Sequence, residues 1–216
     1  MANTAIITSY TLLKNAIEDH MNRSDISDEG VSAMVIDLAE ARLNREVVHP
    51  KRYKSNLTFT VDSQYEDAPT DLYTVKRFGL NTSPVQHMEY LTPEEMFEKR
   101  QSIASSGRPI YYSITGGTTG TQQFEFLPSP SSAYTGLLLY MALIPDLASN
   151  TTNWLLDDHP DLYLQAAIIE AHLWAQDMEQ ATLWEGRYQR TLKSINIAGT
   201  REAHGSTPIA RAKSFG

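Results

Sequence analysis

Apolar side chains recur every three or four residues near the start of the chain, which is the period of a helix with one buried face. This spacing predicts a helix over residues 9–22, capped by Ser9, and a second helix over about 28–46. The apolar positions are Tyr10, Leu13, Ile17 and Met21 in the first helix and Val31, Val35, Leu38 and Ala41 in the second. The polar turn between them is short, so we expect an antiparallel helix pair.

The last third of the chain returns to the helical period. Asn153 is suited to cap a turn that begins at Trp154, and Pro160 is suited to the first turn of the helix predicted over 161–176. The apolar positions are Leu162, Ala166, Ile169 and Leu173 in that helix and Met178, Ala181, Trp184, Tyr188, Leu192 and Ile195 in a final one. The pattern stops after Ala198. All three tryptophans lie in this region, so we expect the helical core to be anchored there.

The middle of the chain has the two-residue period of half-buried strands. This alternation predicts strands at 57–61, 73–77 and 88–90, and a hairpin of 110–114 with 123–126. Thr92 and Glu95 form a capping box with a proline between them, which predicts a short helix to about Ser102. The run Tyr134–Ile144 is bounded by prolines and contains Gly136, so we expect a strand rather than a helix.

Helices at both ends and strands between them define the expected fold class. It is α+β, with an antiparallel helical bundle formed by both ends of the chain, an inserted antiparallel β-rich region and an extended C-terminal arm. The expected boundaries are 1–50 with 150–198 for the bundle, 51–149 for the insertion and 199–216 for a flexible arm. The arm has too few apolar residues to fold alone.

The composition excludes several classes of site. The chain has no cysteine, so disulfides, thiol catalysis and zinc–cysteine sites are excluded. Its formal net charge is −8 and its basic residues are not clustered, so a DNA-binding surface is not indicated. The longest apolar run, Leu137–Ile144, is too short to span a bilayer, and no signal peptide is evident. We therefore expect a protein made and used in the cytoplasm.

Few residues suggest catalytic chemistry. The glycines of 116–120 precede a strand pattern, so we expect a hairpin turn rather than a phosphate loop. The histidines lack metal-site spacing, and a helix would place His172 and Asp177 on different faces. The carboxylates of Asp37 and Glu40 are more typical of a solvated or interface-facing edge than of an acid–base pair. We assign no catalytic, cofactor-binding or metal-binding residue.

Several segments resemble a known family. They are Asn153-Trp154-Leu155-Leu156, Pro160 to Ala167, Ile36 to Glu46, Asp177 to Ala181, and Trp184-Glu185-Gly186-Arg187-Tyr188. In this order and spacing the chain resembles the head–tail adaptor (connector) proteins of tailed bacteriophages over roughly residues 9–198. The middle of the chain is similar to that family only loosely.

The resemblance implies a structural virion protein rather than an enzyme. Such an adaptor would form a twelvefold ring, dock beneath the portal protein, extend the DNA channel and meet tail or nozzle proteins. DNA would pass through without specific binding, and neither a cofactor nor a membrane is implied. The ring would be assembled in the host cytoplasm and would lie at the head–tail junction of the virion.

The C-terminal arm allows two interpretations. It could be a disordered tail of no consequence, or it could order against a partner. Three basic residues against one acid give residues 199–216 a charge of +2, whereas the whole chain carries −8. The resemblance favours portal binding, because adaptors of this kind reach portal subunits with terminal segments. The predicted portal-binding residues are Arg201, His204, Ile209, Arg211, Lys213 and Phe215.

Other functions remain open on the sequence alone. A tail-completion protein of the same virion would have a similar shape and a different neighbour. A small hydrolase could assemble a site from scattered Asp, Glu and His residues, in which case a concave polar pocket should hold them. A monomeric binding module for another phage protein is a further alternative.

Overall fold

A computed structural model describes residues 7–23, 25–28, 30–117 and 120–204. The helices are α1 (Tyr10–Met21), α2 (Asp25–Asp28), α3 (Val31–Glu46), α4 (Pro93–Lys99), α5 (Trp154–Asp158), α6 (Pro160–Trp174) and α7 (Met178–His204), with a 3₁₀ turn at Pro50–Arg52. The strands are β1 (Tyr53–Val61), β2 (Tyr65–Asp67), β3 (Leu72–Leu80), β4 (Gln86–His87), β5 (Glu89–Tyr90), β6 (Ser106–Gly107), β7 (Tyr111–Gly116), β8 (Gln122–Leu127), β9 (Ser129–Pro130) and β10 (Tyr134–Ala142). The predicted α+β class is confirmed.

The chain divides into two compact units. A helical unit takes in the chain up to Arg52 and again from Ile144, and a β-rich unit comprises Tyr53–Leu143. None of the helices in the described ranges combines the length and the apolar character needed to cross a bilayer.

Helix α6 is at the centre of the helical unit and packs against α1, α3 and α7. It begins at Pro160, as predicted, and most of its surface is buried. Its buried residues are Leu162, Tyr163, Ala166, Ala167, Ile168, Ile169, Ala171 and His172. Leu173, which we assigned to the buried face, is instead 42% exposed. The three tryptophans are only partly buried and pack against the edge of this core.

The predicted apolar face of α3 is shifted. Val31 and Val35 are buried as expected, but Leu38 is 47% exposed and Ala41 is also exposed. The buried face continues instead through Ala39, Glu40 and Leu43. Because the charged Glu40 lies on this buried face, the apolar residues of the face do not show a clear helical period, and the pattern favoured Leu38 instead.

Two predicted boundaries in the helical unit are wrong. Residues 25–28 form α2 where we expected only a polar turn. Helix α7 continues to His204, so residues 199–204 are helical and do not belong to a flexible arm.

The predicted cap of α5 is confirmed, because the Asn153 side chain accepts hydrogen bonds from the N–H groups of Leu155 and Leu156.

The β-rich unit contains two four-stranded sheets, ordered β1-β10-β3-β4 and β2-β8-β7-β5, and a small β6-β9 pair. The strand predicted over Tyr134–Ile144 is confirmed as β10, which ends at Ala142 and pairs antiparallel with β1 and β3. The predicted hairpin is the antiparallel pair of β7 and β8, with Tyr111 opposite Leu127. Two short pairs, β5 with β7 and β6 with β9, are parallel, which the sequence did not indicate.

An aromatic cluster fills the core of the β-rich unit. The Phe78 ring lies 5.0 Å from that of Phe124, 5.4 Å from that of Tyr112 and 5.6 Å from that of Phe126. These edge-to-face contacts are the arrangement that aromatic quadrupoles favour. Helix α4 covers a smaller apolar cluster through its buried Met96, and the predicted capping box of Thr92 and Glu95 starts this helix.

Candidate interaction surfaces

The predicted portal-binding residues are only partly described by the structure. Arg201 is exposed on α7, and His204 is the last residue of that helix. The other four, Ile209, Arg211, Lys213 and Phe215, lie outside the described residues. The structure therefore replaces the first third of the expected arm, residues 199–204, with the end of a helix.

Two residues hold the end of α7 in place. The Asn196 side chain donates a hydrogen bond to the Glu46 carbonyl at 3.0 Å and accepts one from the Val48 N–H at 2.9 Å. A Cβ at Gly199 would lie 2.9 Å from Cδ2 of His49, so only glycine permits this close approach. Asn196 and Gly199 are one helical turn apart, a signal that the sequence contains and that we missed.

The exposed face of α7 carries a groove of about 720 Å³ along residues 189–201. Leu192 and Ile197 supply its apolar surface, and Arg190, Lys193 and Arg201 supply its positive charge. Among the described residues none of these three cations is paired with a carboxylate. In a chain of net charge −8, this groove is a local concentration of positive charge that we did not predict.

A second exposed feature lies on α4 in the β-rich unit. Phe97 is 70% exposed, although its neighbour Met96 is buried. Glu94 and Glu98 are exposed on the same side of the helix, and Glu94 lies one turn before Phe97. Phe97 has the highest exposure among the large apolar side chains of the described residues, which makes it a candidate contact residue.

The two carboxylates that we considered together are separated by the fold. Asp37 is exposed, whereas Glu40 is buried and accepts hydrogen bonds from the Leu147 N–H at 2.9 Å and the Tyr163 hydroxyl at 3.2 Å. The prediction that Glu40 lies on a solvated or interface-facing edge is therefore wrong. Burial raises the pKa of Glu40 to about 7, because lost hydration outweighs the two hydrogen bonds; the nearby Asp146 adds to the rise.

Arg42, the cation next to this pair in sequence, is used within the helical unit. Its guanidinium bonds to Glu46 at 3.2 Å and to Glu185 at 2.5 Å, and it lies 4.3 Å from the centre of the Tyr188 ring. These contacts join α3 to α7. A subunit contact is thus not needed to account for Arg42.

The histidines do not assemble a metal site in the described part of the chain, where no cluster of three or more His, Asp or Glu residues could hold an ion. His172 and Asp177, which we expected on different faces, lie 3.6 Å apart. The helix ends between them at Trp174, and Gln176 takes a left-handed conformation with φ 59° that turns the chain back. His49 stacks on Trp154 at 5.2 Å, which is a packing contact.

Comparison with known proteins adds to this geometry. The model of a family described as SU10 adaptor protein matches residues 8–212, which is almost the whole chain. The match includes Arg201, His204, Ile209 and Arg211 and is consistent with the resemblance to phage head–tail adaptors. No curated protein matched the chain. On the extent of the family match, this chain belongs to the SU10 adaptor protein family.

Proposed function

We propose that this chain is the subunit of a head–tail adaptor ring that docks beneath the portal, extends the DNA channel and joins the tail. The observation that carries this proposal is the family match over residues 8–212, which supports a phage adaptor role. An adaptor family suggests a virion component that is not an enzyme. The family match supports the adaptor role, and the ring, its twelvefold symmetry and the contact with the portal are our proposal.

A closed ring needs two different surfaces on each subunit, because every copy meets its neighbours head to tail. The described residues include exposed apolar side chains on several helices, which supports such contacts. Examples are Leu12, Met34, Leu38, Leu183 and Ile197 in the helical unit and Phe97 in the β-rich unit. Packing around a ring would remove such side chains from water and favour closure.

Docking on the portal is assigned to the end of the chain. Helix α7 is fixed at Asn196 and Gly199, so it presents Arg201 at a defined position. The residues beyond it supply apolar Ile209 and Phe215 and basic Arg211 and Lys213, which suit an acidic and partly apolar groove on a partner. Repetition around the ring would multiply a weak contact of this kind.

The acidic balance of the chain fits a channel through which DNA slides. A net charge of −8 repels phosphates over distances comparable to the Debye length, so DNA would pass without specific binding. Tail or nozzle proteins would then meet the ring on the side away from the portal.

Two truncations test the portal contact. Removal of residues 205–216 should leave thermal unfolding unchanged and abolish co-purification with the portal of the same phage. Removal of 199–216 should also lower the unfolding temperature, because it deletes the last turn of α7 and the Gly199 contact. Full portal binding by the chain that lacks only residues 205–216 would overturn the assignment of those residues to the portal contact.

A further inference from the structure

The groove on α7 and the exposed surface of α4 are complementary in pattern. Along α7, Ile197 lies one turn after Lys193 and one turn before Arg201. On α4, Glu94 lies one turn before Phe97 on the same side of the helix, and Glu98 lies one turn after Glu94. One surface is an aliphatic residue flanked by bases, and the other is an aromatic residue next to a pair of acids.

We propose that the α7 groove of one copy of this chain receives the α4 surface of a second copy, with Phe97 packed against Leu192 and Ile197. This contact rests on the proposed ring, since it supplies the two unlike surfaces that a head-to-tail assembly requires. Each copy would offer its groove to one neighbour and its Phe97 to the other.

The sizes of the two surfaces agree. The groove measures about 720 Å³, which is more than enough for an aromatic side chain and the ends of its flanking carboxylates. Phe97 is 70% exposed and Ile197 is 43% exposed, so each loses contact with water when they meet. Apolar burial supplies most of the free energy of such a contact, and an aromatic anchor in a pocket is its usual centre.

The charges favour a second copy of this chain in the groove over two other occupants, which are the C-terminal residues of the same chain and DNA. Glu94 and Glu98 would approach Lys193 and Arg201, and the described residues provide no competing ion pair for any of the four. Residues 205–216 of the chain itself carry Arg211 and Lys213 and no Asp or Glu, so the basic groove would repel them. DNA phosphate would satisfy the bases and leave Ile197 without an apolar partner.

Disulfide trapping tests the contact directly, because the natural chain has no cysteine. Full-length chains that carry either Phe97→Cys or Ile197→Cys are mixed with the portal under mild oxidation. We expect a cross-linked pair, since a disulfide requires Cα atoms within about 7 Å. Chains that carry both cysteines should give a ladder of oligomers, as head-to-tail contacts do.

The matched control replaces Ile197→Cys with Leu183→Cys, which lies on the same helix and is also exposed. The two positions are about 21 Å apart along the axis, so a cysteine at 183 should not cross-link to one at 97. If the yield of cross-link to position 97 is no higher from position 197 than from position 183, the proposed contact is wrong. The groove would then be filled by the portal, by DNA or by the C-terminal residues of the same chain.

A charge exchange separates a second copy from DNA. Glu94→Lys with Glu98→Lys, and separately Lys193→Glu with Arg201→Glu, should each reduce the cross-link between positions 97 and 197 at least tenfold, and the four changes together should restore it. Loss without restoration would overturn the proposal. Failure of the unaltered chain to form particles on the portal would instead refute the proposed ring, and the cross-linking result would still decide the contact.

Discussion

The hydroxyl of Tyr163 on α6 donates a hydrogen bond to the carboxylate of Glu40 on α3 at 3.2 Å, in the buried interior of the helical unit. The amide of Asn153 donates to the same hydroxyl at 2.8 Å. The N–H of Leu147 also donates to Glu40, at 2.9 Å. Residues 147–163, which lie more than 100 positions from Glu40 in sequence, thus surround one buried acid, and its protonation state is linked to the stability of the unit.

Glu40 should make the stability of the protein depend on pH. Its folded-state pKa of about 7 lies above the ordinary value of 4.5, so the folded state binds the proton more tightly than the unfolded state does. The resulting stabilisation is complete below about pH 4.5 and is lost as the pH rises through 7. A shift of this size corresponds to roughly 3 kcal/mol at most.

Urea unfolding of the natural chain and of Glu40→Gln between pH 5 and pH 8 measures this effect. Glutamine keeps an oxygen for Leu147 and Tyr163 but does not ionise, so the difference in unfolding free energy should shift in its favour as the pH rises. A pH-independent difference for Glu40→Gln would contradict the buried, protonated acid.

Asn153→Ala should be one of the more damaging polar substitutions in the helical unit. The side chain caps α5 through Leu155 and Leu156, and it donates to the Pro145 carbonyl at 2.7 Å and to Tyr163. Its loss leaves buried groups without partners, so we expect a cost of about 2–4 kcal/mol in chemical denaturation.

Ser9→Ala removes a cap of the ordinary exposed kind and is the matched comparison. Ser9 accepts one bond, from the Leu12 N–H at 3.3 Å, and its loss should cost only about 0.5–1 kcal/mol. Equal costs for the two substitutions would show that the additional contacts of Asn153 contribute nothing.

Two glycines in α7 should respond to alanine with opposite signs. At Gly199 the added methyl group meets His49 at 2.9 Å and the Val48 carbonyl at 3.1 Å, so we expect a loss of about 1–3 kcal/mol. At Gly186 nothing lies within 4 Å, so alanine should stabilise the helix by up to about 1 kcal/mol. Thermal unfolding measures both, and a stabilising Gly199→Ala would mean that the end of α7 does not pack against His49.

Local motifs in the sequence predicted local structure well. Asn153 and Thr92 cap the helices that follow them, and Pro160 starts α6, because each feature depends only on neighbouring residues. Strand β10 was identified in the same way, from the prolines that bound it and the glycine within it.

The sequence failed where a contact between distant segments decides the outcome. Glu40 is buried because Tyr163 and Leu147 satisfy it, and no pattern within α3 indicates those partners. The extension of α7 through Gly199 depends on its contact with His49, and the residues around Gly199 do not identify His49 as that partner.

The candidate interaction surfaces were predictable only in part. Arg201 was identified as a partner-binding residue, and it lies on the exposed face of α7. The basic groove and the exposed Phe97 were missed, because exposure depends on what the rest of the fold leaves uncovered. The spacing of Arg190, Lys193, Ile197 and Arg201 at three, four and four residues was the available signal.

Electron cryo-microscopy of the full-length chain mixed with the portal of the same phage tests the central claim most directly. The account predicts a closed ring of this chain, coaxial with the portal and with its symmetry, whose central channel continues that of the portal. Portal particles without such a ring at saturating concentrations of the chain would contradict it.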